Sequence, residues 1–371
     1  MQNLWWKVIG LVLVGTFVSS ALAEEELKNL MDRLLAPPKI EAQSGFTAKV
    51  LVPPGQFYDP LFVVARDGDT WLNDDGPEEG EKGSRLLSVD ETGKISVVAG
   101  IGKLLPVTGF DIAPKSFGES EGQIYTLAQA KVKMAGALAN HVIQRVDPKK
   151  DHEASIVCTL PNAGEVNKGV PGAGVEARFG PEDSPFAGKF FAVTAYNNTI
   201  YQTTADGKCT PFVTFDDKRF GAPLALEFAP DGQSMLVSVT RGGLFTPPQG
   251  SAIVRVSPDG KVDDKPLVEG KTPLGGLGYA PEGFGAYGGQ LFVTELGEFE
   301  LPVPQTQEMK ADGKVHRVTP EGKLELVASG FVNPMGLRFI DKKVVITDIN
   351  GDFIGGRREL PDGFLTEITA Q

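Results

Sequence analysis

One short turn recurs along the chain, and it limits what the chain can fold into. It reads Asp90 to Lys94 (DETGK), Ala205 to Lys208 (ADGK), Ser257 to Lys261 (SPDGK) and Pro320 to Lys323 (PEGK), with a degraded copy at Asp147 to Asp151 (DPKKD). Glycine beside a polar residue between two alternating segments is hairpin chemistry. Around the last copy, Val315 to Val318 and Leu324 to Val327 alternate apolar and polar residues, as half-buried strands do. Beyond the loop at Asn333-Pro334 two further strands follow, so the unit is a four-stranded sheet. Copies about 50 to 60 residues apart suit the blades of a β-propeller, since solenoid repeats have shorter periods. Strand-one starts at Leu61 to Val64, Gly109 to Ala113, Glu176 to Gly180, Ala225 to Ala229, Gly276 to Ala280 and Gly336 to Ile340 predict six blades.

The last blade ends one strand short, and Phe46 to Val52 is a strand with no partner of its own. Pairing it with Leu365 to Thr369 removes two free edges, so the chain is expected to close its ring with an N-terminal strand. The fold class is therefore all-β, a six-bladed propeller over 46–371, consistent with 45 glycines and 27 prolines in 371 residues. Residues 24–45 are expected to hold a short amphipathic helix and a linker. Leu27, Leu30, Met31, Leu34 and Leu35 share one helical face before Pro37-Pro38 stops it. Residues 1–23 have one positive charge, an apolar run from Val8 to Ser20 and an Ala21-Leu22-Ala23 site, the pattern of a secretory signal peptide. The mature chain is expected in the periplasm or secreted, as a monomer without a membrane anchor. There Cys158 and Cys209 either pair or stay as two buried thiols.

The formal net charge is −12, which removal of Lys7 makes one unit more negative. Such a surface repels phosphate backbones and anionic lipid, so nucleic acid is excluded as a general partner and a small molecule is expected instead. The links from strand two to strand three are long in five blades: Asn73 to Ser84, Ala128 to Asn140, Thr240 to Gly250, Glu295 to Gly313 and Asp348 to Phe364. They emerge on one face, and Phe245, Phe299 and Phe353 would wall a central well there. Aligning the inner strands on Ala113-Pro114, Gly180-Pro181, Ala229-Pro230 and Ala280-Pro281 puts Asp111, Arg178, Glu227, Gly278 and Arg338 at one level, with Val63 in blade one. Charges that close to the axis must pair or face water. They read either as a ring of ion pairs in which Arg178 bridges Asp111 and Glu227, or as ligand-binding groups. Two residues earlier, blade three alone has a carboxylate, Glu176, where the others have Gly109, Ala225, Gly276, Gly336 or Leu61.

Val332-Asn333-Pro334-Met335-Gly336-Leu337 with Val345-Ile346-Thr347-Asp348 resembles the NHL-repeat consensus. Leu226 to Gly232 (LEFAPDG) and Tyr201 to Gly207 (YQTTADG) resemble the gluconolactonase and senescence-marker-protein propellers. The resemblance covers roughly residues 46 to 371 and implies a divalent cation, calcium above all, held at the axis for lactone hydrolysis. Glu176 matches the family's glutamate, whereas the family's Asn-Gly and Asp-Gly motifs are replaced by Leu224-Ala225 and Gly275-Gly276. Replacement oxygen donors on loops entering the well are Asn333, Asp59 and Thr108. Asp348, Asn350, Asp352 and Glu359 share the acid spacing of an EF-hand loop but have Phe353 at its glycine position. Asn73-Asp74-Asp75 with Glu78, Glu79 and Glu81 reads as a solvated acidic loop.

Nucleophile-elbow, zincin and phosphate-loop motifs are absent from the sequence. Of three histidines, His152 and His316 read as structural. His141, near the rim, is the candidate general base beside Glu176. The expected function is an exported propeller that binds a small polar ligand in its well, with cation-assisted lactonase or esterase chemistry. The alternatives are a non-catalytic binding or protein-interaction module, or a pyrroloquinoline-quinone-type sugar dehydrogenase, because Gly330 to Gly336 resembles a loop of those propellers.

Overall fold

The computed structural model describes residues 32, 35–66, 68–74, 76, 84–100, 104–130, 140–150, 152–161, 174–241, 249–297, 311–349 and 361–371. The chain divides into two compact units, Met1–Ala36 and Pro37–Gln371. The expected leader and nearly all of the expected helix lie outside the described residues.

Two strands precede the first complete blade, β1 (Glu41–Ala42) and β2 (Phe46–Phe57). Blade one is β3 (Val63–Arg66), β4 (Asp69–Asp74), β5 (Arg85–Val89) and β6 (Ile95–Gly100). Blade two is β7 (Val107–Ile112), β8 (Ile124–Ala130), β9 (Asn140–Asp147) and β10 (Glu153–Thr159). Blade three is β11 (Gly174–Phe179), β12 (Lys189–Thr194), β13 (Thr199–Thr204) and β14 (Cys209–Thr214). Blade four is β15 (Ala222–Phe228), β16 (Met235–Thr240), β17 (Ser251–Val256) and β18 (Val268–Gly270). Blade five is β19 (Leu274–Tyr279), β20 (Leu291–Glu295), β21 (Gly313–Val318) and β22 (Leu324–Phe331). Blade six is β23 (Pro334–Ile340), β24 (Lys343–Asp348) and β25 (Gly363–Ala370), with β2 as its outermost strand. These are six antiparallel sheets, each begun by one of the six expected inner strands.

The recurring turn is one structure repeated. In the four copies that keep the glycine, the residue that opens the turn donates its N–H to the carbonyl of the lysine that closes it: Asp90 to Lys94, Thr204 to Lys208, Ser257 to Lys261 and Thr319 to Lys323. The same opening residue's carbonyl accepts the glycine N–H, and those glycines sit at φ +86, +81, +79 and +77. Positive φ is why glycine stands at this point of each copy.

The ring closes as expected. β2 pairs with β25 from Phe46↔Ala370 to Phe57↔Gly363. One detail was not expected: Glu41–Ala42, read as linker, pairs with Ser329 and Ala328 as a fifth strand on blade five. The chain then crosses to blade six, where Phe46 stacks on Tyr287 of blade five with ring centroids 4.5 Å apart. The N-terminal stretch therefore clasps two blades.

Neighbouring blades are joined by polar side chains near the ends of their second strands. Thr347 Oγ1 accepts the Gly336 N–H of its own blade (2.9 Å) and donates to Leu61 O of blade one (2.5 Å). Ser238 Oγ accepts from Ala225 N (3.1 Å) and donates to Gly275 O of blade five (2.9 Å). Asn73 accepts from Phe62 N (3.1 Å) and donates to Val107 O of blade two (2.9 Å). Each link satisfies two buried backbone groups at once. Inner strands approach so closely that a Cβ on Gly276 would lie 2.6 Å from both Leu337 N and Met335 O of blade six. At the rim, Cys158 on β10 and Cys209 on β14 form a disulfide with Cα atoms 6.4 Å apart. Of the two alternatives the pairing is the one realised, at a local approach of the outermost strands of blades two and three where Val157, Cys158 and Cys209 pack together.

Candidate functional site

Four charged side chains from three blades meet at the axis. Glu176 and Arg178 leave β11 on the same side, two residues apart, as strand periodicity requires. Arg178 Nε donates to Glu176 Oε1 (2.8 Å), its Nη1 pairs with Glu227 Oε2 (2.6 Å), and its Nη2 reaches Leu277 O of blade five (3.1 Å). Arg338 comes from blade six, on the opposite side of the ring, and donates its Nη2 to the same Glu176 Oε1 (3.2 Å). Its Nη1 donates to Leu337 O (3.3 Å) and lies 3.9 Å from Glu227 Oε2. The other Glu176 oxygen accepts the Leu226 N–H (2.7 Å). Glu176 is 2% exposed and Arg178 5%. Arg338–Glu176 links blades six and three across the ring, and Arg178–Leu277 links blades three and five.

The expected ring of ion pairs is therefore present with one partner exchanged. Arg178 bridges Glu176 and Glu227, not Asp111 and Glu227. Asp111 turns to backbone instead, accepting Ile112 N (2.8 Å) and Phe179 N (2.8 Å). Burial pushes the Asp111 carboxyl up to about 6, against the pull of its two N–H donors and of Arg178. Burial also raises Glu176 and Glu227, opposed in each by Arg178.

A cleft of about 630 Å³ opens above this network. Its floor is Asp111, Arg178, Glu227 and Arg338, and its walls are Pro181 to Ser184 and Ala229 to Gly232. These walls are links from strand one to strand two, so the cleft lies on the face opposite the long loops. The reason is positional: the floor residues stand late in their strands, near the exit toward strand two. Sequence reading used Gly180-Pro181 and Ala229-Pro230 only to align blades and so missed that they border a cavity. The five long links do join strand two to strand three, but Phe245, Phe299, Phe353, Asn350, Asp352 and Glu359 lie outside the described residues, as do Asp75, Glu78, Glu79 and Glu81.

The other expected site residues do not line this cleft. Asp59 and Asn333 sit on separate links, each 1% exposed, and their backbone N–H groups bond to Asp74 (3.0 Å) and Asp348 (2.9 Å). Thr108 Oγ1 donates to Leu127 O (3.3 Å). Glu176 does not fit the expected cation: both its oxygens accept hydrogen bonds, and a cation there would stand against two guanidinium groups. Among the described residues no group of three or more His, Cys, Asp or Glu could hold a metal ion. His141 is 0% exposed and stacked on Tyr196 with centroids 4.7 Å apart, and burial lowers its pKa to about 4. His316 bonds to Glu295 (2.6 Å) within blade five.

No family model and no curated protein matches the chain. Solved structures do. A glucose dehydrogenase is 15% identical over 88% of this chain and all of its own, with TM-score 0.57. The soluble aldose sugar dehydrogenase of Escherichia coli in its apo form is 12% identical over 88% of this chain and all of its own, TM-score 0.57. A putative gluconolactonase is 12% identical over 90% of this chain and 98% of its own, TM-score 0.52. At such identities the likeness shows a shared six-bladed propeller.

Proposed function

We propose that this protein is an exported binding propeller that holds a small polar ligand in the axial cleft and uses Glu176 as a structural group. The observation that carries the reading is the saturation of Glu176 by Arg178, Arg338 and the Leu226 amide. Three donors occupy a carboxylate that accepts about four, and two of them are guanidinium groups, so a cation bound there would meet like charge. Above it lies a cleft of ligand size, since small-molecule pockets run about 300–1,000 Å³. Export is supported by the leader pattern and by the Cys158–Cys209 disulfide, which belongs in an oxidising compartment.

The test is a thermal-shift and calorimetric screen of small polar compounds against the purified protein and an Asp231→Trp variant, which places an indole at the mouth of the cleft. Saturable binding by the parent that the variant loses is the expected result. Lactone or aryl-ester hydrolysis that a chelator stops and Glu176→Gln abolishes would replace this reading with the cation-assisted hydrolase.

A further inference from the structure

We propose that a second cleft, between blades two and three, binds an amino-acid-type zwitterion, its carboxylate on Arg145 and its ammonium group at the acids that share the cleft. This site is separate from the axial cleft and does not depend on the reading above. It encloses about 610 Å³, within the range of small-molecule sites. Its walls stand where blade two departs from the repeat. One is the run of 3-10 turns over Lys115–Ser120, between β7 and β8. Another is the copy of the recurring turn that has lost its glycine. There Asp147 O accepts the Lys150 N–H (3.1 Å), Lys150 O accepts the Glu153 N–H (3.0 Å), and positive φ falls on His152 (+56). The facing wall is Ala205 and Asp206, in the turn of blade three. The Cys158–Cys209 disulfide ties the outermost strands of these two blades together, so the walls are braced before a ligand arrives.

Groups of both signs are left open here. Arg145 stands in mid-strand on β9, level with Tyr125 of β8 and Ser155 of β10, and lines the cleft. Among the described residues its guanidinium makes no hydrogen bond and no ion pair, although Glu119 and Glu153 line the same cleft and are equally unpaired. At the axis, by contrast, both arginines are spent on Glu176 and Glu227. Gln123 supplies an independent sign. Its Nε2 donates to Asp147 Oδ2 (3.3 Å), which fixes the orientation of the amide, and its Oε1 is a buried acceptor with no donor. Leaving such an atom unpaired is costly, and an N–H delivered from the cleft relieves the cost. A plain anion would meet four carboxylates, Glu119, Asp147, Glu153 and Asp206, against Arg145 and Lys150. A plain cation would leave Arg145 unused and be repelled by it. A zwitterion answers both signs: the guanidinium fork takes a carboxylate in two parallel bonds, and the glutamates accept the three N–H donors of an ammonium group. A peptide N–H between the two ends adds the donor that Gln123 lacks.

The experiment takes one scaffold and removes its charges in turn: glycylglycine, N-acetylglycylglycine, glycylglycinamide and N-acetylglycylglycinamide, titrated by calorimetry and NMR into the mature protein. Saturable one-to-one binding of glycylglycine is expected. Blocking either end should weaken it at least about tenfold, since each block removes a charge-assisted hydrogen bond. Arg145→Gln should cancel the difference between glycylglycine and glycylglycinamide, and Glu119→Gln with Glu153→Gln should cancel the difference from the N-acetyl form. All three side chains are exposed, so these variants should keep the melting temperature of the parent. Asp231→Trp, at the axial cleft, should bind glycylglycine as the parent does. Binding that Arg145→Gln leaves unchanged, or that a blocked form equals, would overturn the inference, as would the absence of saturable glycylglycine binding. Loss of binding in Asp231→Trp would move the ligand to the axial cleft, overturning this site while supporting the other.

Discussion

Arg338→Met tests whether the axial charges act as one unit. Arg338 contributes a bond to Glu176 at 3.2 Å and an approach to Glu227 at 3.9 Å, and its side chain is 14% exposed. Removing one member of a buried pair costs about 3–5 kcal/mol, because the partner keeps its charge and loses its compensation. Glu176 retains Arg178 and the Leu226 amide, which places the expected loss near the lower bound, about 3 kcal/mol. In a domain of this size that corresponds to a fall of roughly 5 °C in melting temperature. Adding Glu176→Gln removes the stranded charge, so the double variant should recover about 2 kcal/mol relative to the sum of the singles. Urea denaturation of the four proteins at pH 7 gives the cycle directly. A single variant within 0.5 kcal/mol of the parent, or a double variant equal to the sum, would refute the reasoning.

Three further outcomes are expected. Cys158→Ser with Cys209→Ser opens a bridge spanning 51 residues, and loop-closure entropy puts its worth at about 4 kcal/mol; a denaturation midpoint unchanged by reductant would contradict this. Gly276→Ala places a methyl group 2.6 Å from two backbone atoms of blade six and should cost about 3 kcal/mol or fold poorly, read by melting temperature and soluble yield. Because folding raises the Asp111 pKa to about 6, the folded form binds the extra proton between about pH 4 and 6. Stability from this group is therefore greatest below that window and declines as pH rises through it, a slope that Asp111→Asn should flatten.

The ring was legible because its signals are local and repeated. Turn glycines at positive φ, alternating strands and a lone strand at each end specify six blades without knowledge of any long-range contact. The level of the axial charges was legible too, from the alignment of Asp111, Arg178, Glu227 and Arg338. Their partners were not. Arg178 takes Glu176, two residues before it on its own strand, in place of Asp111 on the neighbouring blade, and aligning one level across the blades leaves that same-strand choice out. The cleft on the opposite face was not foreseen, because loop length outweighed the position of the charges within their strands. Ser238 and Thr347 went unnoticed as joints between blades, since a hydroxyl in a strand reads as filler until the neighbouring carbonyl is placed.

The clasp on blades five and six has a consequence for biogenesis. Thr47 and Thr369 bond to each other although 322 residues separate them, so a ribosome emits the first half of this seam long before the second exists. Until the last segment arrives, β2 and β24 both present bare hydrogen-bonding edges. A nascent chain that stalls short of β25 is then an adhesive particle, primed to stick to its own copies, and the cell must either finish it or destroy it.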